Sequence, residues 1–284
     1  MEEIKNDSNL NPINFGLMVG NSRLHWALFE NGKLCQTWDT NYLSPENIQT
    51  LMDYPSLSDF LNFFHTKIIV SAQEVKFFEY ITNLSLKKTN NSNSPYPVKL
   101  ASVVPSQTSL WEKYKNVKLI TLENLPFQGI YETLGIDRAL ALYGAGQAFG
   151  FPMMVIDTGT ALTFTCADHS YNFVGGAILP GLGLQISSLN QKTGLLPKIE
   201  IPKTLPPRFA LNTVEAMQSG VIYTLIAGVR DFIKAWWHQF PDGKVAITGG
   251  DRVLIKKYLQ SHDLEIGDRL LVEKDLIFWG MVNG

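Results

Sequence analysis

The chain predicts an α/β protein made of two similar halves, and three observations carry that reading. Apolar strand-like segments alternate with helix-like ones along the sequence, the pattern of layered α/β architecture. Each half is led by a strand, a small polar turn and a second strand. In the first half these are residues 15–19, Gly20-Asn21-Ser22 and residues 24–29. In the second they are residues 153–156, Asp157-Thr158-Gly159-Thr160-Ala161 and residues 162–166. Both turns have the makings of a phosphate cradle. Small residues let backbone N–H groups approach a polyphosphate, the hydroxyls of Thr158 and Thr160 can reach its oxygens, and Asp157 can hold a cation. One such turn is equally well plain turn chemistry. Its repetition argues a nucleotide-phosphate site between the halves. The copies differ at one position: Met18 stands where the second has Asp157.

In chain order, residues 1–12 read as a disordered lead-in without the basic-then-apolar order of a signal peptide. Asn31-Gly32 between residues 27–29 and Leu34 signs a β-hairpin. A helical stretch follows at residues 45–53, a strand at 67–70 and a helix at 74–84. Residues 87–97, polar and low in complexity, read as an exposed loop. Strands resume at 98–104 and 117–122. The second half opens with a helix at 137–148. After the second hairpin come a strand at 172–179, Pro180-Gly181, and a helix at 182–190. Asn212-Thr213-Val214-Glu215 has the form of a capping box. Val214, Met217, Val221, Leu225, Val229, Phe232 and Trp236 then recur at three- and four-residue spacing, so a long helix runs to about Trp237. Short strands at 245–248 and 270–272 complete the pattern.

Bulk properties exclude several classes. A formal charge of −2 argues against a strongly basic nucleic-acid protein. Cys35 and Cys166 lack metal-ligand spacing, and each reads as a small buried hydrophobe in a reducing compartment. Five scattered histidines and no cysteine cluster argue against structural zinc. No stretch approaches the ~18 uninterrupted apolar residues of a membrane span. A soluble, cytoplasmic protein is expected.

Further constellations bear on chemistry. In Gly135-Ile136-Asp137-Arg138, Asp137 sits where a helix begins. It is either a cap and dipole partner or a proton acceptor for a substrate hydroxyl, with Arg138 anchoring an anion through its planar fork. Gly175-Gly176 and Pro180-Gly181-Leu182-Gly183 are either turns or a wall against a ligand. Thr193-Gly194-Leu195-Leu196-Pro197 offers a hydroxyl at Thr193. Gly249-Gly250-Asp251 is an adenine platform or a strand-to-helix turn. His25, Trp26, Trp236 and Trp237 read as structural, His25 as an outward-facing strand residue.

Taken in order, these motifs resemble the type III pantothenate kinases of the acetate/sugar kinase–Hsp70–actin superfamily, from about Phe15 to the C-terminus. Gly20-Asn21-Ser22 is similar to a family Gly-Asn-Thr, Gly135-Ile136-Asp137-Arg138 to Gly-x-Asp-Arg, and Asp157-Thr158-Gly159-Thr160-Ala161 to Asp-x-Gly-Thr-Ala. Gly175-Gly176, Pro180-Gly181 and Thr193-Gly194-Leu195-Leu196-Pro197 complete the set. The resemblance implies two duplicated ribonuclease H-like (actin-like ATPase) domains, residues 13–135 and 136–284, with a nucleotide cleft between them. It implies phosphorylation of pantothenate by ATP with Mg²⁺, Asp137 being the general base. Tyr131, Gly135, Ile136, Asp137, Arg138 and Thr193 would bind pantothenate, Arg138 through the carboxylate. Met18, Val19, Gly20, Asn21, Ser22, Arg23, Leu24, His25 and Thr160 would line ATP, and Asp157 would hold a monovalent cation, K⁺ or NH₄⁺. A homodimer is implied, with no nucleic-acid or membrane partner. The family's first hairpin carries Asp where this chain has Met18, and its Tyr-x-Asn-Pro is reduced here to Tyr131. A non-catalytic relative acting as a regulatory or binding protein is the alternative.

Overall fold

The computed structural model describes residues 13–53, 59–60, 62–64 and 96–283. The expected lead-in, the strand at 67–70, the helix at 74–84 and most of the loop at 87–97 lie outside them. The chain forms two compact units. The first runs to Asn124 and takes in Gly135–Asp137 and the chain from Met281; the second holds Leu125–Leu134 and Arg138–Gly280.

The first unit is built on a five-stranded sheet. Strands β1 (Ile13–Val19), β2 (Leu24–Glu30) and β3 (Lys33–Thr40) form an antiparallel meander. Strands β4 (Val98–Ser102) and β5 (Val117–Leu119) extend it in parallel from β1, giving the order β3-β2-β1-β4-β5. The Asn31-Gly32 turn has positive φ at both residues, 51° and 73°, the type I′ geometry that matches the twist of its strands. Helices α1 (Pro45–Asp53) and α2 (Pro105–Trp111) also belong to this unit. The core is aromatic: Phe15, Trp26, Trp38, Phe60, Phe64 and Trp111 pack on one face of the sheet.

In the second unit, helix α3 (Ile136–Phe149) precedes the antiparallel strands β6 (Met153–Thr158), β7 (Ala161–Ala167) and β8 (Phe173–Pro180). Helices α4 (Leu182–Lys192) and α5 (Thr213–Gln239) follow, then β9 (Lys244–Thr248), α6 (Arg252–His262), α7 (Leu264–Arg269), β10 (Leu271–Val272) and α8 (Leu276–Asn283). The sheet order is β10-β9-β6-β7-β8, with β9 and β10 parallel to β6. Each sheet is thus a three-strand meander extended beyond its first strand by two further strands in parallel. This is the ribonuclease H-like order, present twice. Close approach of α3 and α8 depends on missing side chains: a β-carbon on Gly144 would lie 2.1 Å from Leu276 O, and one on Gly280 2.2 Å from Leu140 O.

Several sequence expectations are corrected. The strand expected to reach Val104 ends at Ser102, because Val104 already caps α2 with Pro105 at its first turn. The strand expected to reach Leu122 ends at Leu119, where Asn124 Oδ1 takes the Thr121 N–H at 2.8 Å and a 3₁₀ turn forms at Leu122–Asn124. Helix α5 is capped by Asn212, as its capping box predicts. Its buried stripe, however, is Met217, Ile222, Leu225, Ile226, Val229, Ile233 and Trp236; Val214 and Phe232 are exposed at 41% each. Cys166 is buried but Cys35 is exposed. The β2–β3 register pairs Phe29 with Leu34 and Leu28 with Gln36, so Cys35 is the extra residue of a β-bulge.

Candidate active site

Arg138 is tightly held. It lies in the first turn of α3, one residue after Asp137, and is 8% exposed. Its Nε donates to Thr165 Oγ1 at 3.1 Å, its Nη2 to the Phe164 carbonyl at 2.7 Å and its Nη1 to the Tyr131 hydroxyl at 3.0 Å. Buried polar groups need such partners, and charged donors make the stronger bonds. The guanidinium is therefore held in one plane by β7 and by the loop before α3. Gly176 on β8 makes room for it: a β-carbon there would lie 2.6 Å from Arg138 Nη2 and 2.2 Å from Phe164 O. Tyr131, 44% exposed, rests edge-on against Phe173 with ring centroids 5.8 Å apart.

Asp137 is partly exposed at the start of α3. Gly135 precedes the helix, and Ile136 is buried at 7%, so its side chain belongs to the core. Thr193 caps the C-terminus of α4, its hydroxyl donating to Leu189 O at 2.6 Å. Burial pushes the Cys166 thiol, beside Thr165, up to about 12, with the charge of Arg138 pulling the other way.

The second hairpin turns at Gly159-Thr160, Thr158 of β6 pairing with Leu162 of β7. Asp157 lies beside Thr163 of β7 and Thr248 of β9. Its Oδ1 is 2.4 Å from where Gly249 would carry a β-carbon and 3.2 Å from where Gly159 would. Glycine at both positions thus lets the backbone pack closely against this carboxylate, and Gly249 has φ +88°. Thr160 is exposed at the turn. Thr158 is not available to a ligand: it is 1% exposed and its hydroxyl donates to Thr248 O at 2.6 Å, which corrects its expected reach to phosphate. After β9, Asp251 N–H donates to Thr158 O at 3.1 Å, and burial raises the Asp251 carboxyl above its usual range.

The first hairpin closes through Gly20 N–H to Arg23 O at 3.1 Å. Asn21, Ser22 and Arg23 are exposed at its tip. Val19 and Leu24 are fully buried in the aromatic core, so only their backbones can meet a ligand. Met18 is 1% exposed. Within this unit the hairpin is braced by residues that sequence reasoning missed. Tyr42 donates to Gly20 O at 2.6 Å, and Asp39 binds both Arg23 and His25. In the second unit Thr165, Gly176 and Gly249 were missed as supports. Thr163 and Thr165 did carry a signal, two polar residues alternating along an apolar strand.

The type III pantothenate kinase family matches residues 17–235. The chain belongs to this family. It is 56% identical over 267 residues to a type III pantothenate kinase of Nostoc sp., covering 93% of this chain and 91% of the relative. With the type III pantothenate kinase of Synechocystis sp. it shares 39% identity, covering 94% and 88%. A crystallised Baf-family protein of Campylobacter jejuni, 19% identical, aligns over 94% of both chains with a TM-score of 0.56 and shares the fold. As a type III pantothenate kinase family member the chain is a kinase, a class that uses ATP with a divalent metal. Among the described residues no helix is long and apolar enough to cross a membrane, and no cluster of three or more His, Cys, Asp or Glu could hold a metal.

Proposed function

We propose that this chain transfers the γ-phosphoryl group of ATP to pantothenate at the start of coenzyme A synthesis, with Asp137 as general base. One observation supports this above others. A guanidinium fixed by Thr165, Phe164 O and Tyr131 follows directly on a carboxylate in the first turn of α3. Arg138 is a preformed anchor for a substrate carboxylate, and Asp137 is one residue away to take the proton of a hydroxyl. Phosphoryl transfer asks little more of a protein than to position the acceptor, balance phosphate charge and take up that proton. Tyr131, Gly135 and Thr193 line the acceptor in this reading, and Ile136 contributes backbone. The tips of the hairpins, Gly20 to Arg23 with His25 and Thr160, meet phosphate.

The cation sites differ in their fit. Asp157, a partly exposed carboxylate at the end of β6, is a hard oxygen ligand suited to a monovalent cation, K⁺ or NH₄⁺, which would supply positive charge next to phosphate. Position 18 does not suit Mg²⁺: a buried thioether is a poor ligand for a hard cation that prefers oxygen. The family resemblance implies a homodimer, and the bulk sequence properties lead us to propose a cytoplasmic location.

A second reading, a non-catalytic relative serving as a regulatory or binding protein, draws on Met18. The test is phosphorylation of pantothenate by the purified protein with ATP, with and without K⁺ or NH₄⁺. Product formation supports the kinase reading; nucleotide binding without turnover on pantothenate supports the second.

A further inference from the structure

We infer that Asp39 is a positioning residue for the nucleotide, holding Arg23 directly and bracing the first hairpin through His25, so that the Arg23 guanidinium meets ATP phosphate. The inference deepens the kinase reading and rests on it for the identity of the ligand.

Strand register places four residues side by side. Asp39 of β3 pairs with His25 of β2, His25 with Met18 of β1, and Met18 with Ala101 of β4. Directly opposed strand residues share a face. The neighbouring positions Leu17, Val19, Leu24 and Trp26 point into the aromatic core, so this row lies on the opposite side of the sheet. There Asp39 Oδ1 stands 2.7 Å from His25 Nδ1, and Oδ2 accepts from Arg23 Nη1 at 3.1 Å. An ionised carboxylate only accepts, so the ring carries its proton on Nδ1. That pairing turns the other ring nitrogen toward the hairpin's glycine: a β-carbon on Gly20 would lie 3.3 Å from His25 Nε2. Tyr42 braces the same glycine from its carbonyl.

Stability alone does not account for this cluster. The Arg23 and Asp39 side chains are 54% and 48% exposed, and exposed ion pairs contribute little to folding. Burial opposes ionisation of Asp39, yet His25 and Arg23 outweigh it and hold the carboxyl below its usual range. What the cluster does is fix the Arg23 guanidinium and the His25 ring at the exposed tip of the hairpin. A guanidinium fork suits phosphate oxygens bidentately, and a carboxylate on one imidazole nitrogen orients the other. Since Met18 offers no oxygen ligand here, the hairpin's complement to phosphate charge is the Arg23 guanidinium.

The test is calorimetric binding of ATP and of adenosine to the full chain in the absence of pantothenate, for the native protein and Asp39→Asn. The variant keeps shape and loses charge. ATP affinity should fall about tenfold while adenosine affinity holds, and in turnover KM for ATP should rise with KM for pantothenate unchanged. Equal losses for ATP and adenosine, or no loss, would overturn the inference. If Asp39→Asn does not fold, Arg23→Lys and His25→Gln carry the test, and each must weaken ATP while sparing adenosine. Native protein that binds ATP but leaves pantothenate unphosphorylated sinks the kinase reading alone. An Asp39→Asn effect confined to ATP still supports the inference in that case.

Discussion

Arg138 and Gly176 are mutually dependent: the guanidinium occupies space that any side chain on residue 176 would enter, with Nη2 2.6 Å from the missing β-carbon. A contact below 3 Å cannot be relieved by the Phe164 carbonyl, which lies on the same side at 2.2 Å. Gly176→Ala should therefore displace Arg138 and raise KM for pantothenate about tenfold, roughly 1.4 kcal/mol of binding, with KM for ATP little changed. Steady-state kinetics in both substrates check this. An unchanged KM for pantothenate would remove Arg138 from the acceptor site.

The Asp157 carboxylate gives a second prediction. Asp157→Ala should abolish activation by K⁺ while circular dichroism stays native. Gly249→Ala, at φ +88° and 2.4 Å from Asp157 Oδ1, should weaken the same activation and also lower the melting midpoint. Full K⁺ activation in Asp157→Ala would show that the cation is held elsewhere.

Met18 gives a third. If position 18 faces the metal-bearing phosphates, as the proposed ATP site has it, Met18→Asp should lower the Mg²⁺ concentration for half-maximal rate. It should also destabilise the protein, since the side chain is 1% exposed and a buried charge is costly. Magnesium titrations and thermal melts measure the two effects. An unaltered Mg²⁺ dependence in folded protein would separate position 18 from the metal.

The cysteines give a fourth. Burial pushes the Cys166 thiol up to about 12, so at pH 8 only about one in ten thousand is thiolate. Cys35 is exposed on the β3 bulge, although partial burial raises its thiol too. Alkylation of the native protein at pH 8 should add one label, at Cys35, faster as pH rises. A second follows only on unfolding. Two labels on native protein by mass spectrometry would contradict the burial of Cys166.

Elements with strong local signals were legible in the sequence. The duplicated hairpins, the Asn31-Gly32 turn and the Asn212 cap of α5 each rest on a few adjacent residues with one preferred geometry. Less legible were elements whose limits are set by neighbours. Helix α2 is short and polar, and α8 is apolar on every side, so neither shows a helical period. Helix α6 did show one in Ile255, Tyr258 and Leu259. Cys35 is exposed because of a register shift that only strand pairing creates. The site followed the same division. Asp137, Arg138 and Asp157 sit in local motifs. Thr165 and Gly176 act on Arg138, and Gly249 on Asp157, from other strands or the turn after one, and Asp39 acts on Arg23 and His25 from β3; the sequence marks some of these positions but not the partners they meet.

The central claim is that Asp137 takes the proton of a pantothenate hydroxyl beside a fixed Arg138. Asp137→Asn keeps the shape at the start of α3 and removes the acceptor, so the rate of ATP-dependent pantothenate phosphorylation should fall ~10²–10⁴-fold with KM for pantothenate largely retained. Single-turnover phosphorylation by the native and variant proteins measures this directly. A variant rate within a few-fold of native would contradict the assignment and leave Asp137 as a first-turn partner of the helix dipole.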